Sequence, residues 1–129
     1  MPKPCTYDYA LLRVVPRVER GEFVNAGVIL SCAATDFLQA RIELDEARVL
    51  ALDPSADLAG IRAALDAIPR ICAGGAAAGA LGRHSARERF QWLVAPRSAS
   101  IQTSSVHTGR SDSLEATLEH LLRTMVRRP

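Results

Sequence analysis

Three segments in the first third of the chain have the hydrophobic pattern of antiparallel strands. Residues 7–15 are rich in aromatic and β-branched residues, and Pro16 then removes a backbone donor. A short apolar run covers residues 26–32, and residues 37–44 alternate between apolar and polar side chains, as a half-exposed strand does. Only residues 33–36 separate the last two segments. Because a parallel crossover needs a longer connection, these segments are expected to form an antiparallel hairpin.

Helical spacing of apolar residues predicts two helices in the middle of the chain. Residues 45–52 are predicted to form a short helix, and Asp53-Pro54 is expected to start a longer one, with an acidic cap and a proline in its first turn. The apolar stripe of the longer helix consists of Leu58, Ile61, Leu65 and Ile68. Pro69 is expected to kink or end this helix at the preceding residue, because proline has no N–H to donate.

A loop, a short helix and a further strand are predicted next. Residues 74–82 are rich in glycine and alanine without periodicity, which indicates a flexible loop. Ser85 and Glu88 have the spacing of a capping box, so a short helix through Trp92 is expected. Residues 99–106 are polar and β-prone, and are predicted to form a strand.

The closing segment has the clearest helical pattern in the chain. Asp112 and Glu115 fit an N-terminal cap, and arginines near the C-terminus suit the negative end of the helix dipole. His120 is expected on the outer face of this helix. The apolar stripe consists of Leu114, Leu118, Leu121, Leu122 and Met125.

These elements predict a single domain over residues 1–129 that belongs to the α+β class. Its centre is expected to be a mainly antiparallel sheet of about four to five strands, with helices packed on one face. A chain of 129 residues is long enough to bury a core without disulfides or metals.

Membrane, secreted and disulfide-rich classes are excluded by the sequence pattern. No apolar run reaches the roughly 18 to 20 residues that cross a bilayer, and residues 1–9 lack the features of a signal peptide, so a cytoplasmic location away from membranes is predicted. Cys5, Cys32 and Cys72 are widely separated and lie outside any C-x-x-C pair. Buried, reduced thiols are therefore expected.

Charge is unevenly distributed along the chain, although the net charge is only +2. Residues 36–66 contain seven acids and three arginines, whereas residues 67–111 contain six arginines and one glutamate. Such asymmetry can mark a surface that faces anions.

Residues 95–109 are the most site-like segment, because they concentrate hydroxyls, an amide, an arginine and a histidine. An arginine with neighbouring donors can hold a phosphate or a carboxylate through charge-assisted hydrogen bonds. His107 is also a candidate acid or base, since its ordinary pKa lies near neutral pH. The alternative is an exposed strand with ordinary turn residues. The candidate anion- or partner-binding residues are Arg97, Gln102, Ser104, His107 and Thr108.

Residues 17–27 form a second polar segment, which enters an apolar strand. Glu22 and Asn25 are its candidate pocket residues, and the alternative is a polar turn that joins two strands. The decisive question is whether folding brings this segment and residues 95–109 together.

Motifs for established chemistries are missing from the sequence. The three histidines lack the spacing of metal ligands, so neither a metal site nor a cofactor is predicted. The nucleophile elbow G-x-S-x-G is absent. Gly79 and Gly82 have the spacing of the phosphate-clamping loop of KH domains, but the apolar residues between them favour a plain connector.

The remaining sequence signal lies in four segments, residues 9–16, 22–30, 88–93 and 95–109. Together they resemble a bacterial family called domain of unknown function 3037. The resemblance covers nearly the whole chain and implies a small cytoplasmic protein without known catalytic residues. It also suggests an association with HipA-like kinase domains, and hence an accessory or regulatory role.

Two functional hypotheses follow. The first is a non-catalytic accessory module that binds a protein partner, which could be a kinase-like protein, and uses the region Arg83 to Arg110 to hold an anionic group or an acidic surface. The second is an enzyme or binder acting on phosphoesters or nucleic acid, with His107 as acid or base. In the second hypothesis the phosphate is held by Arg97, Gln102, Ser104 and Thr108.

Overall fold

Five strands form an antiparallel sheet. The computed structural model describes residues 3–129; Met1 and Pro2, where the predicted domain begins, lie outside the described residues. The strands are β1 (Cys5–Val14), β2 (Val24–Cys32), β3 (Phe37–Ile42), β4 (Ile101–Thr103) and β5 (His107–Ser111). β3 pairs with β2, β2 pairs with β1, and β4 and β5 both pair with the other edge of β1, which lies at the centre. The α+β class, the hairpin and the predicted sheet of about four to five strands are confirmed.

A bulge divides the edge strand that the sequence predicted as one segment over residues 99–106. Leu12 lies opposite Thr103 and Tyr9 lies opposite His107, so two residues of β1 face three residues, 104–106. Ser104 bridges the gap: its backbone N donates to Leu11 O at 2.9 Å, and its Oγ accepts from Leu11 N at 2.8 Å. The bulge ends β4 and starts β5 at His107.

Four α-helices lie within residues 3–129. The capping box at the start of α3 is confirmed, because Ser85 Oγ accepts from Glu88 N and Glu88 Oε1 accepts from Ser85 N, both at 3.1 Å. The predicted loop 74–82 is instead a pair of 3-10 turns within Gly75–Arg83, separated at Gly79, which has a φ of 62°. The helices are α1 (Glu46–Leu52), α2 (Leu58–Ala73), α3 (Ala86–Leu93) and α4 (Leu114–Leu121).

Two predicted helix starts are wrong by a few residues. Helix α2 is capped by Asp57, whose carboxylate accepts from Gly60 N, while Asp53 accepts from Ser55 and closes the turn before the helix. Helix α4 is capped by Ser113 instead of Asp112. In both cases a second capping residue stands closer to the first apolar position of the helix, and it takes the role.

Pro69 does not end α2, which continues to Ala73. The proline stands near the C-terminal end of the helix, so its missing N–H affects only the hydrogen bonds close to that end. Continuing the helix buries Cys72 in the core, where burial raises the pKa of its thiol to about 12. Cys5, Cys32 and Cys72 are all free thiols, with Cys5 only half-buried.

Helices cover both faces of the sheet, so the prediction of helices on one face is wrong. α1, α2 and α3 pack against a core that includes Leu12 and Ile29, whereas α4 packs against Val28 and Leu30 on the other face. The reason is that β2 is apolar on both sides, with Val28, Ile29 and Leu30 all fully buried. A continuous apolar run of this kind is typical of a strand covered on both faces.

The last turn of the closing helix departs from α-helical geometry. Residues Leu122–Val126 form a π-helical turn, which has more residues per turn than an α-helix. The apolar stripe therefore shifts by one residue: Val126 is 3% exposed, while the predicted stripe residue Met125 is 38% exposed. His120 lies on the outer face as predicted. No helix within residues 3–129 is long and apolar enough to cross a membrane.

Candidate functional site

The two polar segments meet across strand β1. Arg13 of β1 lies opposite Asn25 of β2 on one side and opposite Gln102 of β4 on the other. Residues directly opposite each other on neighbouring strands point to the same face of a sheet. Asn25, Arg13 and Gln102 therefore form one row, on the face that carries α4. Folding brings residues 17–27 and 95–109 together through this row.

The row contains polar groups without partners. Asn25 Nδ2 donates to Met125 O at 3.0 Å, but Asn25 Oδ1 and Arg13 Nε are buried and bond no residue within 3–129. The Arg13 guanidinium lies over the Phe23 ring, 4.1 Å from its centroid. Most buried polar atoms in proteins have a hydrogen-bond partner, so a spare donor and a spare acceptor in adjacent strands distinguish this row from the rest of the sheet.

Aromatic side chains continue the same face toward the start of β1. The His107 ring lies 5.4 Å from the Tyr9 ring between centroids, and the Tyr9 ring lies 6.1 Å from that of Tyr7. Helix α4 covers the β2 side of this face and leaves the β1 side partly open, with Phe23 44% exposed. We call this area the open sheet face. It consists of Tyr7, Tyr9, Leu11, Arg13, Phe23 and His107.

Three of the predicted residues line a separate polar cavity along the outer edge of β4. Arg97, Gln102 and Ser104 contribute to its wall, and its volume is about 380 Å³. Each also has a structural role. Arg97 donates to Trp92 O at 2.6 Å and to Ala95 O at 3.3 Å, Gln102 donates to Ala99 O, and Ser104 bridges the bulge.

The structure does not bring the remaining predicted residues to that cavity. Thr108 points to the opposite sheet face from its neighbour His107, where its hydroxyl donates to Asp8 at 2.7 Å. Asp8 also pairs with Arg87 at 2.9 Å. Glu22 accepts from Arg20 in an exposed turn. A phosphate held by Arg97, Gln102 and Ser104 would therefore lack contact with Thr108, which bonds to Asp8 on the face that carries α1 to α3.

Sequence reasoning did not single out Tyr9, Arg13, Phe23 or Trp92. The useful pattern was present in β1, because its alternation places Tyr7, Tyr9, Leu11 and Arg13 on one face. On this face a charged residue, Arg13, follows three aromatic or apolar residues, which indicates that the face is partly open to water. For Trp92 the sequence offers no such pattern, since its exposure depends on how α3 packs.

The six arginines of the basic stretch 67–111 fall into two groups. Arg87, Arg89 and Arg97 bond to groups within the fold. Arg70, Arg83 and Arg110 form no ion pair within residues 3–129, but they lie on three different elements, near the end of α2, in a 3-10 turn and in β5.

Two of the seven acids in the acidic stretch, Glu43 and Asp45, pair with arginines near the C-terminus. Arg127 pairs with Glu43 at 2.7 Å and with Glu119 at 2.6 Å, and Arg128 pairs with Asp45 at 2.6 Å. We call these three ion pairs the C-terminal clasp. Hydrogen bonds from Arg127 lower the pKa of Glu43 and of Glu119, and those from Arg128 lower the pKa of Asp45.

Comparison with known proteins identifies the family of this chain, but no individual protein that it resembles. Neither a curated protein nor a solved structure matches the chain. The family model described as "Protein of unknown function (DUF3037)" matches residues 9–126, which is most of the chain. The chain therefore belongs to the DUF3037 family of proteins of unknown function.

Proposed function

We propose that this protein is a non-catalytic accessory module that binds a protein partner through its open sheet face. The observation that carries the proposal is the composition of this face: two tyrosines, a phenylalanine, a leucine and an arginine, half-exposed or exposed, on one side of a rigid sheet. Aromatic residues and arginine are enriched at the centres of protein interfaces and contribute much of their binding energy.

The neighbouring helix indicates how a partner would complete this face. Helix α4 covers the β2 side of the sheet, and exposed Met125 lies beside the open part, next to Asn25. An apolar element of the partner, placed beside α4, would remove Phe23 and Met125 from water. Removing apolar area from water is the main favourable contribution to protein association.

Charge restricts the chemistry of the partner. Arg13 Nε is buried without a partner among residues 3–129, and the guanidinium lies over the Phe23 ring, 4.1 Å from its centroid. A carboxylate of the partner can accept two hydrogen bonds from such a group. We therefore propose an acidic residue at the centre of the partner's contact surface. A cytoplasmic kinase-like protein is the first candidate partner to test, because the family resemblance suggests it.

The test compares partner recovery by matched surface variants. Tagged protein is used to isolate complexes from the native host, and the composition and stoichiometry of each complex are measured. We expect Phe23→Ser and Arg13→Gln to lose the stoichiometric partner that the parent protein recovers. Leu50→Ser is the control, because Leu50 is an exposed apolar residue (36%, against 44% for Phe23) that lies on α1, on the other face of the sheet.

Two results would contradict the proposal. One is a monomeric parent protein that recovers no stoichiometric partner. The other is a partner that the two open-face variants recover as well as the parent does. Thermal denaturation of each variant establishes that a loss of recovery does not come from unfolding.

A further inference from the structure

An apolar cavity of about 310 Å³ lies where α2, α3 and β4 meet, on the sheet face opposite the open sheet face. Its inner wall is formed by Leu12, Ile68, Leu93 and Ile101, all of which belong to or pack against the core. Its outer rim carries Trp92, which is 45% exposed. The size and apolar lining are within the range of small-molecule sites in proteins.

The cavity exists because α2 presents small side chains toward β4. Ala64 and Ala67 face the gap, and the chain after α3 passes along its mouth without filling it. The apolar walls are thus accessible to water on one side. An apolar ligand of suitable length would displace that water, which is favourable.

Arg97 stands at the mouth of this cavity and supplies its charge. Its guanidinium stacks on Trp92, 4.7 Å from the ring centroid, and donates to Trp92 O and Ala95 O. A guanidinium has five N–H donors, so three remain without a partner among residues 3–129. The stacking and the two backbone bonds hold these donors in position before a ligand arrives, which reduces the entropic cost of binding.

We propose that this cavity binds a linear monocarboxylate of roughly eight to ten carbons, with the chain along the apolar wall and the carboxylate on Arg97. The length follows from the volume, which admits on the order of ten groups the size of a water molecule. A single negative charge matches the single arginine, and the planar carboxylate matches the fork of its donors. This site is separate from the open sheet face, so the two proposals stand or fall independently.

The first experiment is a calorimetric titration of the full chain with butanoate, hexanoate, octanoate and decanoate, below their micelle-forming concentrations. We expect the affinity to rise about fourfold for each added methylene until the cavity is full, the factor that corresponds to about 0.8 kcal/mol per buried CH₂. The primary alcohol of the same length should bind roughly tenfold or more weakly, because it cannot form charge-assisted bonds with Arg97.

The second experiment uses variants that separate the chain from the head group. Ala67→Leu should abolish binding of both octanoate and octanol, since the larger side chain occupies the cavity. Ala63→Leu is the matched control: it makes the same change on an exposed position of the same helix, outside the cavity lining, and should bind like the parent. Arg97→Gln should weaken octanoate by roughly tenfold and leave octanol unchanged.

Several results would overturn the proposal. They are an affinity independent of chain length, undiminished binding to Ala67→Leu, and equal loss in Ala63→Leu. If Arg97→Gln does not fold, Arg97→Lys replaces it, because lysine retains the charge but not the fork; it should bind octanoate more weakly than the parent and octanol equally. If Ala67→Leu binds octanoate as well as the parent does, or if Ala63→Leu loses binding equally, the proposal is overturned whatever the arginine variants show.

Discussion

At the scale of single residues, Ser104 shows how a polar side chain that resembles a ligand can belong to the backbone. It is 6% exposed, its hydroxyl accepts from Leu11 N, and the same hydroxyl donates to Ser105 O. The side chain thus takes the place of a carbonyl that the bulge removes from the ladder. Alanine has no group that could take over this bond.

Replacing Ser104 with alanine is expected to destabilise the protein by about 1–3 kcal/mol, because Leu11 N would lose its acceptor in a partly buried position. Urea denaturation measures the change. Ser105→Ala is the control, since Ser105 is exposed and contributes only its backbone carbonyl; its effect should stay within about 0.5 kcal/mol. Equal stability of the two variants would show that the bridge across the bulge is dispensable.

Residue roles that depend on near neighbours could be predicted from the sequence. The capping box of Ser85 and Glu88 is one, because its four residues determine its geometry. The row of Asn25, Arg13 and Gln102 could not be predicted, since it depends on the register of three strands and on a bulge in the pairing of β1 with β2. A shift of one residue turns a side chain to the other face, and no local pattern fixes that shift.

At the scale of elements, the residue buried at the end of the closing helix is not the one that the spacing of apolar residues predicted. A period of 3.6 residues places Met125 on the buried stripe, but the π-helical turn buries Val126 instead. Val126 packs with Leu118, Leu121 and Leu122 against β2. The π turn lets the last apolar residue of the chain reach the core.

Paired truncations test this change of register. Val126→Ala should destabilise the protein by about 1–2 kcal/mol, because it removes two buried methylene-sized groups. Met125→Ala, one position earlier, should change stability by less than about 0.5 kcal/mol, because Met125 is largely outside the core. Chemical denaturation of both variants decides between the two geometries: a larger effect at Met125 would indicate an α-helical ending.

Element types were predictable where one face of an element is polar. The alternation of residues 37–44 predicted β3, and the stripe of α2 predicted its buried residues Ile61, Leu65 and Ile68. The position of α4 was not predictable, because its stripe fits either face of a sheet whose central strand is apolar on both sides. The uninterrupted apolar run of β2 was the available indication that both faces are covered.

At the scale of the whole molecule, the C-terminal clasp connects two parts of the chain that are distant in sequence. Arg127 and Arg128 lie beyond the last helical turn and reach Glu43 and Asp45, at the end of β3 and the start of α1. Because the clasp lowers the pKa of its carboxyl groups in the folded protein, it contributes stability above their ordinary pKa of about 4.5 for glutamate. This contribution is lost as the pH falls through the lowered values.

Arg127→Gln should therefore be less stable than the parent at pH 7 and low salt. The difference should shrink as the pH falls from about 4.5 to 3, because the unfolded chain then takes up protons at Glu43 and Glu119 more readily than the folded protein does. It should also shrink in about 1 M salt, which screens exposed ion pairs. Urea denaturation of both proteins at pH 7 in low salt, at pH 7 in high salt and at pH 3 measures the difference in their free energy of unfolding. Arg110→Gln is the control, because Arg110 is exposed in β5 and forms no ion pair within residues 3–129. A difference that persists unchanged at pH 3 would show that Arg127 acts through packing.

The bulge at residues 104–106 reverses the parity of the chain. Odd-numbered residues of β4, such as Ile101 and Thr103, face the helices α1 to α3, whereas odd-numbered residues of β5, such as His107, face α4. One continuous polar segment is thereby divided between two surfaces, the cavity edge and the open sheet face. Deleting Ser105 would leave two residues opposite Ala10 and Leu11, so β4 and β5 would become one regular strand in which His107 still lies opposite Tyr9. The separation of β4 from β5 therefore depends on one extra residue.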